Sequence, residues 1–163
     1  MKKIIVVVGL PGCGKSTYIE KMKTDEIVIL CADDIRKELL GDEADQSQNA
    51  HIFEVFFERL YKLMEEGRDV VIDNASSVEA RRRKVYVDAA KKYGYFAEAL
   101  VINTSIEDCL INNNARERKV PEYVIERYSK MFEAPTVEEG FELITTVDFK
   151  RETCEKTKKR VSD

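Results

Sequence analysis

Eight residues, Gly9-Leu10-Pro11-Gly12-Cys13-Gly14-Lys15-Ser16, fit the pattern G-x-x-x-x-G-K-[ST] and follow directly on the β-branched apolar run Lys3–Val8. A strand that breaks into a glycine turn and then opens a helix is the context in which this pattern has a mechanism. Glycines let the backbone curl so that successive N–H groups face one anion, and the helix that follows adds its N-terminal N–H groups. With glycine at roughly 7% of average composition, a chance match in a chain of 163 residues has a probability on the order of 10⁻². Gly12, Cys13, Gly14, Lys15, Ser16 and Thr17 are therefore the expected nucleotide-binding residues. Lys15 is expected on the β- and γ-phosphates of a nucleoside triphosphate and the Ser16 hydroxyl on Mg²⁺. Cys13 is expected to contribute its backbone N–H rather than its thiol.

Short apolar runs at 27–31, 70–73, 97–102 and 143–147 read as further strands buried on both sides. Helical patterns at 15–23, 33–40, 49–66, 78–93, 106–115 and 121–131 lie between them. The longest places Ile52, Val55, Phe56, Leu60, Leu63 and Met64 at spacings of three and four and stops at Gly67. Alternating strands and helices predict right-handed crossovers and an α/β fold, a parallel sheet with helices on both faces. Without a repeat, linker or composition break, residues 1–163 read as a single domain, with 151–163 as a polar tail.

A composition of 44% hydrophobic and 36% charged residues is that of a folded globular chain. The net charge of -4 argues against a broadly basic nucleic-acid binder, although basic runs occur at Arg81-Arg82-Arg83-Lys84, Arg116-Glu117-Arg118-Lys119 and Lys158-Lys159-Arg160. Cys13, Cys31, Cys109 and Cys154 form no CxxC pair and His51 is the one histidine, so structural zinc and a disulfide framework are not expected. Reduced thiols point to a cytoplasmic protein. No apolar run approaches the ~18 residues of a membrane span.

In an open parallel sheet, ligands sit beyond the carboxyl ends of the strands. After the second strand, Asp33 and Arg36 are three apart and share a helix face. Asp33 suits a base or orienting group for an acceptor hydroxyl, and Arg36 suits a phosphate. Asp33 also reads as an N-cap, and Asp34 as a cap or surface residue. Asp73 ends the third strand like a Walker-B carboxylate and is a candidate metal ligand with Ser16; Asn74 and Ser76 follow it. The polar, basic connection around Arg116 and Arg118 reads as a lid whose arginine stabilises charge on a transferred phosphoryl group. Two residues apart, the two arginines share a target only if the segment is irregular. Arg81–Lys84 reads as a solvated helix start, His51 as surface or packing, and Phe53, Phe56, Phe57 and Tyr61 as core.

The segments GLPGCGKST, ADDIRKEL, EEGRDVVIDNAS, AKKYGY, ARERKVPEYVIERY and APTVEEGFELI give the chain a resemblance to the P-loop kinase family that includes the kinase domain of phage polynucleotide 5′-hydroxyl kinase. It extends over residues 2–147. The resemblance implies an adenylate-kinase-like fold with strand order 2-3-1-4-5, ATP as donor, Asp33 as general base, Arg36 on the acceptor's phosphate and Arg116 as the lid arginine. Relatives often carry arginine four positions before the lid arginine; this chain has Asn112. The phage enzyme also has a C-terminal phosphatase domain, for which this sequence has no matching segment.

The reading that follows is an ATP-dependent 5′-hydroxyl polynucleotide kinase. The alternatives are a kinase of a sugar, antibiotic or nucleoside-like hydroxyl, and a nucleotide-binding regulatory module.

Overall fold

Both faces of strand β1 (Lys3–Val8) are covered, and for that reason it is apolar at every position from Ile4 on. Ile4, Val6 and Val8 face one core, shared with α2 (Ala32–Leu40), α3 (Asn49–Glu65) and α4 (Ala80–Tyr93). Ile5 and Val7 face the other, shared with α1 (Lys15–Met22), α5 (Ile106–Asn114) and α6 (Glu122–Met131). The structure, a computed structural model, describes residues 1–149. The expected polar tail at 151–163 lies outside the described residues.

The sheet is completed by β2 (Ile27–Leu30), β3 (Asp69–Ile72), β4 (Phe96–Asn103) and β5 (Leu143–Asp148). All pairings are parallel and the order is β2-β3-β1-β4-β5, the order that the resemblance implies. The chain leaves β1 toward the β2 edge and crosses after β3 to the opposite side of β1. That reversal opens a crevice at the carboxyl ends of β1 and β3. Among the described residues no helix is long and apolar enough to cross a membrane.

Three expectations are corrected. Helix α2 opens one residue early, at Ala32, with Cys31 in the cap position and no side-chain cap, so Asp33 is not the N-cap. Its carboxylate sits in the first turn, near the positive end of the helix dipole, and is left for other partners. Helix α4 starts at Ala80, because Ala75–Val78 forms a separate 3₁₀ turn. And the run Arg81–Lys84 is not uniformly solvated: the Arg83 side chain is 0% exposed.

Arg83 donates through Nε and Nη2 to the two carboxylate oxygens of Glu139, at 2.8 and 3.0 Å, and through Nη1 to Ser77 O at 2.9 Å. This pair ties the start of α4 to the 3₁₀ turn Val137–Glu139 before β5. Replacing Glu139 with alanine is expected to destabilise the fold by about 3–5 kcal/mol, because a buried guanidinium loses its counter-charge. Burial alone would raise the Glu139 carboxyl, but hydrogen bonds from Arg83 and the Thr136 N–H outweigh it and hold the group below its ordinary 4.5. A carboxyl depressed on folding adds stability above its unfolded value and loses it as pH falls through the folded one. The gap in melting temperature between wild type and Glu139→Gln is therefore expected to narrow below pH 4.5. A gap that stays constant down to pH 3 (roughly the lower end of the acid-titration range) would remove this pair from the acid limb.

Candidate active site

Gly12 and Gly14 take positive φ values of 80° and 90°, which glycine adopts at little cost. Gly14 occupies the N-cap of α1, and the first helical bond runs from Tyr18 N to Gly14 O at 3.1 Å. The N–H groups of Lys15, Ser16 and Thr17 precede that bond, so the helix leaves them for an anion. The N–H of Cys13, expected to face the phosphate, donates instead to Leu10 O at 3.0 Å. Cys13 is buried, and burial pushes its thiol up despite nearby Lys15. The residue closes the turn from beneath rather than lining the cleft.

Helix α5 braces the loop from behind. A Cβ on Gly12 would stand 2.5 Å from Cys109 O, so only glycine lets the two backbones come this close. Asn112 Nδ2 donates to Gly12 O at 2.8 Å, and Thr104 Oγ1 to Cys13 O at 2.7 Å. Asn112, at the position where the resemblance leads to an expectation of arginine, thus fastens α5 to the glycine loop.

Asp73, at the end of β3, meets Lys15 at 3.3 Å, with both side chains about 15% exposed. On the other wall, Arg36 is 8% exposed and donates Nη1 to Asp33 Oδ1 at 2.7 Å. Its Nε and Nη2 both donate to Asn49 Oδ1, at 3.2 and 3.1 Å. Three of a guanidinium's five N–H donors are thereby taken, which leaves two. Arg118 approaches Asp33 Oδ2 at 3.9 Å and Glu43 at 3.3 Å. Partial burial, then the like charges of Asp73, Asp33 and Glu43, push the Asp34 carboxyl up.

Between α5 and α6 the chain is irregular, which lets Arg116 and Arg118 both line the cleft. Buried Asn113 closes this segment at its base, donating Nδ2 to Val120 O at 2.7 Å and accepting from Val120 N at 3.0 Å. Asn113→Ala is expected to cost about 1–3 kcal/mol locally by orphaning the Val120 N–H and carbonyl. Hydrogen exchange would read this as lost protection at the Val120 amide. Protection equal to wild type would mean that the clamp does not hold the segment.

Gly12, Gly14, Lys15, Ser16, Thr17, Asp33, Arg36, Asp73 and Arg116 line one open cleft of about 1840 Å³. Of the expected site residues, only Cys13 is missing from its wall. His51 is exposed, as read. Phe56 is core, but Phe53 and Phe57, expected in the core, are half-buried and line the cleft. Sequence reasoning missed Asn49 and Asn113, and named Asn112 only as a departure from the arginine of relatives. The triplet Asn112-Asn113-Asn114 carried a signal, since asparagine favours caps and turns over helix interiors.

A family model described as an AAA domain matches residues 4–135. The bifunctional polynucleotide phosphatase/kinase of Schizosaccharomyces pombe is 27% identical over 155 residues, which is 91% of this chain and 34% of that protein. The chain thus spans about a third of that curated relative's length. Among solved structures, a chain of the Pnkp1/Rnl/Hen1 RNA repair complex superposes with TM-score 0.71 at 20% identity, over 80% of this chain and 43% of that one. A gluconokinase from Sinorhizobium meliloti 1021 gives TM-score 0.62 at 19% identity, over 98% and 90%. These two likenesses are of fold.

Proposed function

The chain belongs to the AAA domain family, and from that premise we propose that it transfers the γ-phosphoryl group of ATP to the 5′-hydroxyl of a polynucleotide. The observation that carries this reading is the Asp33–Arg36 pair, held by Asn49 in the same cleft as the phosphate loop. The likeness to the S. pombe phosphatase/kinase supports the same acceptor class.

In this reading the N–H groups of Lys15, Ser16 and Thr17 hold the donor's phosphates, and Lys15 leaves Asp73 to neutralise them. The donor supplies the phosphoryl group; Ser16 and Asp73 would hold a Mg²⁺ ion, which would supply positive charge to the phosphate oxygens. The hydroxyl of Ser16 and the carboxylate of Asp73 are oxygen ligands of the kind that a hard cation takes. Asp33 accepts the proton of the acceptor hydroxyl as that oxygen bonds to the γ-phosphorus and the bond to the β–γ bridging oxygen breaks. Arg36 holds Asp33 in place with one N–H and has two left for the acceptor's phosphate. Arg116 lines the cleft with no ion pair among the described residues, so its guanidinium is available to the transferring group.

The crowding of Asp33, Asp34, Glu43 and Asp73 favours a second reading, a small neutral hydroxyl acceptor such as a sugar. The fold shared with the gluconokinase over 98% of this chain is compatible with it. The test is transfer of label from γ-labelled ATP with Mg²⁺ to a 5′-hydroxyl oligonucleotide at several salt concentrations. Label on the oligonucleotide, with kcat/KM falling steeply as salt rises, is the expected result, since phosphates neutralised by the protein release counterions. ATP binding without any labelled oligonucleotide would transfer the case to the sugar reading.

A further inference from the structure

We propose that Arg82 holds a backbone phosphate of the acceptor strand, on the 3′ side of the nucleotide being phosphorylated, at the far end of an aromatic wall that starts at Arg36. The proposal deepens the polynucleotide reading above and rests on it.

Four consecutive cations, Arg81 to Lys84, open α4, and three have a carboxylate partner. Arg81 meets Glu79 at 3.0 Å, Arg83 meets Glu139 at 2.8 Å, and Lys84 meets Asp88 at 2.8 Å. Arg82 makes no ion pair among the described residues, is exposed, and lines the cleft that contains the phosphate loop. Its backbone is held: Arg82 N donates to Glu79 O at 3.1 Å, and the next residue is the fully buried Arg83, anchored to Ser77 and Glu139. The exposed cations Arg81 and Lys84 are neutralised locally, whereas Arg82 lines the cleft without an ion pair among the described residues.

Between Arg36 and Arg82 the wall is aromatic. The Arg36 guanidinium stands 5.8 Å over the Phe53 ring. Phe53 and Phe57 are 6.3 Å apart between centroids, and Phe57 and Tyr86 are 6.2 Å apart. Asn74 Nδ2 donates to the Tyr86 hydroxyl at 3.2 Å, and Arg82 and Tyr86 stand four residues apart on one face of α4. Tyr86 is buried beside these rings, and the half-buried Phe53 and Phe57 carry the ring surface open to the cleft. Cations flanking aromatic rings are the parts with which proteins hold single strands: bases stack on the rings while basic side chains take the phosphates. Arg36 is bonded to Asp33, so its end of the wall is the reacting end, and the strand runs from there toward Arg82. A sugar acceptor offers neither a base nor a second phosphate.

The experiment uses the full chain with two acceptors, a nucleoside 3′-monophosphate and a short 5′-hydroxyl oligonucleotide, across a salt series. In Arg82→Ala, the advantage of the oligonucleotide over the mononucleotide in kcat/KM is expected to shrink about tenfold, mainly through KM. The slope of log kcat/KM against log salt for the oligonucleotide is expected to lose about 0.7, the value of one phosphate contact on a single strand. Arg82→Lys is expected to keep that slope. Lys84→Ala, outside the cleft, is the control for a change of surface charge and is expected to match wild type. An unchanged slope and KM in Arg82→Ala, with a wild type that labels the oligonucleotide, overturns the proposal and leaves the function standing. An equal loss on both acceptors also overturns it, since that marks a general defect of the site. A wild type that labels no oligonucleotide overturns both readings together.

Discussion

Replacing Lys15 with alanine is expected to lower kcat/KM about 10³-fold and to weaken ATP binding as well. Two losses act together. The phosphates lose a cation that serves both bound substrate and transition state, so the damage spreads over KM and kcat. In addition, Asp73, 15% exposed and 3.3 Å from Lys15, is left as an unbalanced negative charge beside an incoming triphosphate. Calorimetric titration with ATP and single-turnover kinetics separate the two contributions. ATP affinity equal to wild type would mean that Lys15 is not at the phosphates.

Asp33→Asn is expected to cut turnover about 10²–10⁴-fold while ATP affinity stays within about twofold. Asparagine keeps an oxygen to accept from Arg36 Nη1, the contact now made at 2.7 Å, so the local geometry survives and what is removed is the proton acceptor. Asp33 stands on α2, away from the phosphate loop on α1, so binding of the donor has no reason to follow. In Asp33→Ala, by contrast, Arg36 and Arg118 both lose a partner, and a disturbed acceptor KM is expected on top of the fall in turnover. Near-wild-type turnover in Asp33→Asn would take the base away from this residue.

The strands and helices were legible because each states its environment locally. The Lys3–Val8 run is apolar at consecutive positions, which a strand covered on both faces requires, and α3 keeps a single three-and-four periodicity to its stop at Gly67. Strand order was a different matter. Runs buried on both sides look alike, and only the resemblance ordered them. The phosphate loop was readable because its chemistry is local, but the N–H of Cys13 was not, since its turn with Leu10 depends on backbone torsions. Helical spacing groups Phe53, Phe56 and Phe57 on neighbouring positions of α3, yet does not show which of them meets the cleft. Asn49 and Asn113 act through contacts with Arg36 and Val120 that depend on how loops return, which no residue pattern records.

The burial of Arg83 sets an order on how the molecule is completed. Its carboxylate lies 56 residues further along the chain, in the turn that leads into β5. Until that turn arrives, the first turn of α4 either stays open to water or encloses a charge with nothing to oppose it, and the second is far too costly to persist. A growing chain that has emerged only as far as α6 therefore already contains the glycine loop, α2 and the irregular segment between α5 and α6, but not a settled start to α4. The wall that carries Arg82 is finished only when the turn before β5 docks, so the cleft cannot be fully formed in a chain cut short before Glu139.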